Sequence, residues 1–382
     1  MIVGVDATNI RSGGGLTHLL EVIRYANPLA HDIDKVVIWG GGLLKKLPPS
    51  PWLEIRQIEA IDRSMVSRIF WILIHSKREF SSNCDILWSP GGIFYSRSFP
   101  YISMSQNMLV FEKAERNRFP ISFTKARYLL LKLLQSRSFR HAIGVVFLTN
   151  YARDYICSAV AMPKLKQIAV IPHGVSTRFK RAPSAQNPIS TYTPLKPFRI
   201  LYVSIVNYYK HQVNLIEAIV ELRKHYPVEL VLVGPMYEPC ARQFYKAING
   251  CEKYITYKGK IEHETLNEEY HSADLFAFCS TCENMPNILI EAMSSGLPIL
   301  SSSYGPMPEV LKDGGLYCDP LDIEDITFKI KTLIDQPALR AQLAQQAYAL
   351  AEKFSWIKCA AQTFEFINHC YRSNKDVLKE LN

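Results

Sequence analysis

The chain has 382 residues, of which 48% are hydrophobic and 21% charged, with a formal net charge of +9. That length suits two ordinary domains and that balance suits a buried core, which excludes a disordered or low-complexity protein. No apolar run approaches the roughly eighteen residues of a membrane span, and the longest, 69–74 and 128–134, are broken or flanked by Arg and Lys. In chain order, β-type runs are expected at 2–5, 36–39, 86–88, 101–104, 145–148 and 168–171. The opening Met1-Ile2-Val3-Gly4-Val5-Asp6 reads as a buried strand and not as a secretory signal, so a cytoplasmic location is expected. A polar, Pro-bearing stretch at 182–191 follows and reads as a linker. A fresh strand–helix series then begins, with strands at 199–203, 229–233, 254–257, 275–278 and 298–301.

Runs that are apolar on both faces and alternate with helical segments indicate parallel sheets covered by helices. The fold class is therefore α/β, with two doubly wound, Rossmann-like domains facing a central cleft, where ligands bind at the carboxyl ends of strands. The expected division is an N-terminal domain over 1–182, a linker over 183–197, and a C-terminal domain over 198–362. A last helix at about 363–382 would pack back on the first domain.

Nine cysteines at irregular spacing give no disulfide framework. Cys279 and Cys282 form one C-x-x-C without the second pair a zinc site wants, so no metal is expected. Charge is uneven: residues 1–181 hold 25 Lys+Arg against 12 Asp+Glu, and the rest 19 against 23. The excess is densest over 113–140, where Lys113, Arg116, Arg118, Lys125, Arg127, Lys132, Arg137 and Arg140 meet only Glu115 among interleaved apolar residues. Such a stretch suits an anionic membrane surface or an anionic acceptor, or is simply a solvated helix face. No nucleic-acid motif accompanies it.

Two segments could carry chemistry. Gly13-Gly14-Gly15 sits in the first strand–helix turn, where glycines let the backbone approach a phosphate. Its spacing is not that of a dinucleotide fingerprint, and a flexible turn explains it equally well. Later, Glu283 and Glu291 flank Asn284-Met285-Pro286-Asn287-Ile288 after the strand at 275–278. That geometry would offer helix N-terminal amides and two carboxylates to a hydroxyl-rich anionic ligand. Capping and surface charge are the alternative.

The E-x7-E spacing of Glu283 and Glu291 resembles the donor-binding motif of family 4 glycosyltransferases, retaining enzymes of the GT-B fold. Val170-Ile171-Pro172-His173-Gly174-Val175, the stretch from Tyr202-Val203-Ser204 to Lys210, Gly305-Pro306-Met307-Pro308-Glu309-Val310, and Phe354-Ser355-Trp356 are similar to further segments of that family. The resemblance implies an enzyme moving a sugar from a nucleotide-diphosphate sugar, UDP- or GDP-linked, to a saccharide or lipid-linked acceptor. The setting would be polysaccharide or lipopolysaccharide-type glycan synthesis, peripheral on the inner face of the plasma membrane, without a cofactor.

By the same resemblance, Lys210 neutralises the donor diphosphate, Glu283 contacts the donor sugar, and Glu291 holds the ribose. Asn284, Met285, Asn287 and Ile288 act through backbone N–H groups, and Lys260 and Ile261 lie in the base-contacting loop; Gly14 and Gly15, read from their turn alone, are the further candidates for donor contact. Lys113, Arg116, Arg118, Lys125 and Arg127 serve the acceptor or membrane. The pattern departs from the family at three places. Ser204 stands where many members have Arg, so neutralisation leans on Lys210 alone, on Lys260 or on Arg11. Asn107 stands near the usual His and would supply a neutral donor, and Asn284-Met285-Pro286 replaces Gly-Phe-Gly. A catalytically silent sugar-nucleotide-binding protein, or an epimerase or phosphorylase of the same fold, are the alternatives.

Overall fold

The structure is a computed structural model that describes residues 1–11, 13–163, 166–262 and 264–380. It divides into two compact units: Met1–Phe111, Ile121–Gly174 and Ser355–Asn382 form the first, and Glu112–Pro120 and Val175–Phe354 the second.

The strands of the first unit are β1 (Ile2–Asp6), β2 (Lys35–Gly40), β3 (Leu53–Gln57), β4 (Ile86–Ser89), β5 (Tyr101–Met104), β6 (Gly144–Phe147) and β7 (Gln167–Val170). They form one sheet in the order β3-β2-β1-β4-β5-β6-β7, and its pairings are all parallel. The second unit contains β8 (Phe198–Val203), β9 (Val228–Val233), β10 (Ile255–Tyr257), β11 (Leu275–Phe278), β12 (Ile299–Ser302) and β13 (Leu316–Cys318). Its parallel sheet runs β10-β9-β8-β11-β12-β13. Both sheets step outward from their first strand and then cross to its other side. The reversal falls between β1 and β4 in one unit and between β8 and β11 in the other. In doubly wound sheets this switch point, at the carboxyl ends of the strands, is where the chain opens a crevice for a ligand.

Eleven of these strands coincide with apolar runs in the sequence; β3 and β13 do not. Both are edge strands. In β3 the pattern Leu-Glu-Ile-Arg-Gln leaves every side chain at least partly exposed, and β13 has three residues. Exposure dilutes the pattern of β3 and shortness that of β13, whereas the other two edge strands, β7 and β10, still coincide with apolar runs.

The unit boundaries also differ from the expected division. The expected linker is packed against the second unit. Arg340, fully buried, donates to Gln186 Oε1 at 3.0 Å and to the Asn187 carbonyl, and its guanidinium lies 5.1 Å from the Phe198 ring. The chain rejoins the first unit at Ser355, where a helix over Trp356–Glu380 begins, seven residues before the expected one. Gly174 makes that junction possible, because a Cβ there would stand 2.1 Å from the Trp356 backbone nitrogen. Along the helix Trp356, Cys359, Ala360, Phe364 and Ile367 are buried. These positions share one helix face, which is why a helical period is legible there.

The basic stretch at 113–140 is not one amphipathic helix. Pro120 ends a first piece, and Ser122 caps a second over Phe123–His141 by accepting from the Lys125 N–H at 3.4 Å. The first piece packs with the second unit: Arg116 is buried, and Arg118 pairs with the buried Glu115 at 2.8 Å. Lys125 and Arg127 belong to the first unit. The structure thus splits the five cations grouped together in the sequence between two bodies.

Candidate functional site

At the switch point of the second unit, the loop after β8 and the loop after β11 are stitched together. The Thr281 N–H donates to the Tyr209 carbonyl at 2.9 Å, and His211 Nε2 lies 3.2 Å from Thr281 Oγ1. His211 holds a left-handed φ of 51°. Burial, and then the neighbouring Arg118, lower its pKa to about 4, so it is neutral near pH 7.

This stitching brings Lys210 and Glu283 into contact. Lys210 ends a short 3-10 turn after β8, is buried, and its ammonium donates to Glu283 Oε1. The cation stands 5.1 Å from the Tyr209 ring and 5.5 Å from the Phe278 ring, within range of both π faces. The Tyr202 hydroxyl fixes the turn by donating to the Lys210 carbonyl at 2.7 Å. An ammonium has three N–H donors, so its pairing with Glu283 leaves two for another acceptor. The family resemblance gives these residues separate roles; the structure makes them one buried pair. A carboxylate so close fixes where the ammonium points, and the ammonium offsets the cost of burying the carboxylate.

Glu291 lies on the helix Asn287–Ser294, with Pro286 at the N-cap. It is buried and accepts from the Tyr270 hydroxyl at 2.9 Å, while the same hydroxyl lies 3.2 Å from the Ile288 carbonyl. Burial, and then the Glu291 carboxylate, push the Tyr270 phenol up, so it stays protonated as the donor. Tyr270 had no signal in the sequence, since it sits on the short helix Leu266–His271 well away from the Glu283 segment. Asn284 and Met285 are buried in the loop, and the Asn287 N–H already donates to the Met285 carbonyl at 3.0 Å. That bond commits one of the amides expected to face a ligand to the turn itself.

Lys260 is exposed and Ile261 half-buried, after β10. Their loop is anchored where the Gly234 N–H donates to the Gly259 carbonyl at 2.8 Å. Glu309 lies in the first turn of the helix Met307–Leu311 after β12. Cys282 is a buried thiol beside the pair; burial, and then Glu112, Glu283 and Glu115, push its pKa up. Among the described residues, no three His, Cys, Asp or Glu side chains are grouped so as to hold a metal ion.

The first unit carries fewer charges at its own switch point. The helix Gly13–Arg24 begins at the glycine triplet, where Gly13 has a φ of 68° that L side chains avoid. Gly14 is exposed, and Gln106 packs over Gly15. Asn107 caps a short turn, accepting from the Leu109 N–H at 3.1 Å, so its carbonyl oxygen is engaged and its amide N–H₂ is the group that could donate outward. A cavity of 350 Å³ beside β1 and β2 is lined by Arg11, Asp62, Leu16 and Leu44 among others. Beneath the helix, His18 is fully buried and stacks on His173 at 4.4 Å between ring centroids, with Trp356 within 6 Å of both. Burial, and then His173, hold the His18 pKa well below its ordinary value.

Residues 186–350 match the model of the family described as glycosyl transferases group 1. The second unit carries a group 1 glycosyl transferase domain. The O-antigen chain mannosyltransferase B of Escherichia coli is 34% identical over 112 residues, 29% of either chain. Glycogen synthase of Mycobacterium tuberculosis is 27% identical over 213 residues, 53% of this chain and 48% of that one. The chain thus spans less than half the length of these relatives. Among solved structures, HepE of Anabaena in complex with UDP and glucose superimposes with a TM-score of 0.71 at 18% identity, covering 97% of this chain and 100% of that one. That likeness speaks to the fold, and bears out the GT-B class with two Rossmann-like parallel α/β units. The group 1 domain covers Lys210, Glu283 and Glu291, so the stretch that matches the family is the stretch that holds the buried pair.

Proposed function

We propose that the chain is a retaining glycosyltransferase of family 4 type that takes a UDP- or GDP-sugar in its second unit. The observation that carries this is the Lys210–Glu283 pair at a doubly wound switch point, with Glu291 buried one helix turn beyond. A buried ammonium fixed in direction by a carboxylate can meet a diphosphate as its negative charge grows during departure. Glu291, held by Tyr270, offers a carboxylate oriented to accept hydrogen bonds from ribose hydroxyls. Glu283 would touch the donor sugar or the positive charge that develops on it. Lys260 and Ile261 would flank the base. The names borne by relatives, a mannosyltransferase and a glycogen synthase, and UDP and glucose in the HepE structure support a nucleotide sugar as co-substrate.

In this reading the bond between the anomeric carbon and the diphosphate breaks, and the acceptor oxygen bonds the same face of that carbon. The acceptor proton passes to the departing phosphate, so no separate protein base is needed. The acceptor is a saccharide or lipid-linked saccharide handled by the first unit, in glycan synthesis of the polysaccharide or lipopolysaccharide type at the cytoplasmic face of a membrane. Asn107 and the cavity lined by Arg11 and Asp62 are that unit's candidate contacts.

A thermal-shift screen of UDP-, GDP- and ADP-sugars tests the donor site. A sugar present at about a hundred times its dissociation constant should stabilise the protein by about 2.7 kcal/mol. Glu291→Ala should abolish that shift. A shift that survives intact would remove the donor from this site, and binding without nucleotide diphosphate release toward any acceptor would favour a silent binding protein.

A further inference from the structure

One face of the first unit has a composition that neither the fold nor the donor site explains. The helix Met65–Ile74 buries none of its side chains. Val66, Phe70 and Leu73 are 74%, 57% and 76% exposed, and their spacing of four and three residues puts them on one stripe. On the neighbouring segment Ile121 and Phe123 are 98% and 78% exposed, and Leu133 is 69% exposed further along the helix Phe123–His141. Single exposed apolar residues are ordinary; a run of them on two helices is not.

Cations accompany both apolar runs. Arg68 lies within electrostatic reach of Arg127 and of Arg11; burial and these two like charges lower its pKa. None of the three pairs with a carboxylate among the described residues. Across 65–74 and 121–141 the chain has six Lys or Arg and no Asp or Glu. Further along, a hollow of 660 Å³ is lined by Arg97, Lys132, Arg137, Arg140 and His141 together with exposed leucines, with no acidic residue among its walls. Mutually repelling guanidiniums beside exposed aliphatic and aromatic side chains call for an environment that is negative in one layer and apolar in the next. A bilayer with anionic headgroups has that structure, whereas a polar peptide or free phosphate supplies only the charge.

We propose that the face formed by the helix Met65–Ile74 and residues 121–134 docks on an anionic lipid bilayer, with Phe70 and Leu73 below the headgroups and Arg68 and Arg127 among the lipid phosphates. No helix of the described residues is long and apolar enough to cross a membrane, so the contact is interfacial. The assignment moves the membrane contact away from Lys113, Arg116 and Arg118, which pack with the second unit. It does not depend on the donor site, since lipid binding is read without turnover.

The test is vesicle sedimentation of the full chain, with phosphatidylcholine alone and with phosphatidylcholine containing phosphatidylglycerol. The protein should pellet with the anionic vesicles, should do so less as salt rises, and should stay in solution with the neutral ones. Phe70→Ser with Leu73→Ser should weaken partitioning more than about tenfold, since both side chains lose apolar burial in the bilayer. Arg68→Glu with Arg127→Glu should do the same, and provides the test if the first pair alters folding by circular dichroism. Phe328→Ser, at a 62% exposed position on the second unit, should change nothing. Equal pelleting with both vesicles, or undiminished pelleting by both double variants, would overturn the proposal. So would a wild-type dimer that ignores vesicles and becomes monomeric in Phe70→Ser with Leu73→Ser, which would make the face a contact between two copies.

Discussion

The two units reach the same topology with different chemistry. Each is a parallel sheet whose strand order reverses beside its first strand, yet the second unit fills its reversal with Lys210, Glu283, Glu291 and Tyr270, while the first fills its own with Gly13, Gly15, Gln106 and Asn107. The buried imidazoles differ as well. His211 is tied to Thr281 and joins two loops, whereas His18 lies stacked among aromatic rings. A doubly wound sheet provides a place for a ligand; which ligand is decided by the loops, and here the buried ammonium–carboxylate pair described above stands in the second unit.

Substitutions can break or sharpen that contrast. The largest effect should come from Lys210→Ala, which removes the cation proposed to face the departing diphosphate. Nucleotide release at saturating donor should fall by about a thousandfold, the scale seen when one transition-state charge partner is lost. A change under about tenfold would deny the second unit the catalytic role proposed for it.

Next comes pH. His211 is held near 4 when folded against an ordinary value of 6.5, so the unfolded chain binds the proton first as pH falls. The stability that its neutrality confers is complete above pH 6.5 and is lost progressively toward pH 4, in all about 3 kcal/mol. Denaturant midpoints measured from pH 7 to 4 should therefore flatten in His211→Gln; an unchanged slope would mean that other groups, His18 among them, set the acid limit.

Tyr270→Phe should weaken donor binding by about tenfold, the cost of one hydrogen bond to a carboxylate, with turnover of bound donor little changed. Isothermal titration and steady-state rates would separate the two, and a selective fall in turnover would contradict a positioning role. Asn107→Ala in the first unit should have the smallest effect, a few-fold in the Michaelis constant for the acceptor. If it cost more than Lys210→Ala, the contrast between the units would be reversed.

The sequence showed the central strands well and missed two of the four edges. Central strands such as β4, β5 and β11 are apolar on both faces and could be placed within a residue or two. The edge strands β3 and β13 could not, because exposure dilutes the pattern of the first and shortness that of the second. Glu283 and Glu291 were legible through spacing and Lys210 through resemblance to a family, but their partners were not. Tyr270 and His211 enter by tertiary contact, which leaves no local periodicity. The run of cations at 113–140 misled in the other direction. Nearness in sequence suggested one helix, but Pro120 breaks it, and the buried Glu115 and Arg116 draw its first part into a different body.

The junction at Gly174 and Trp356 gives the first unit an unusual dependence on distant chain. Its hydrophobic interior is completed by residues synthesised some 180 positions later, after the whole of the second unit has been translated. During translation the first unit must therefore wait, with the surface that will meet Trp356, Phe364 and Ile367 still open to solvent. A chain stopped at Phe354 would retain every ionic group of the second unit's switch point and still lack the part that closes the first.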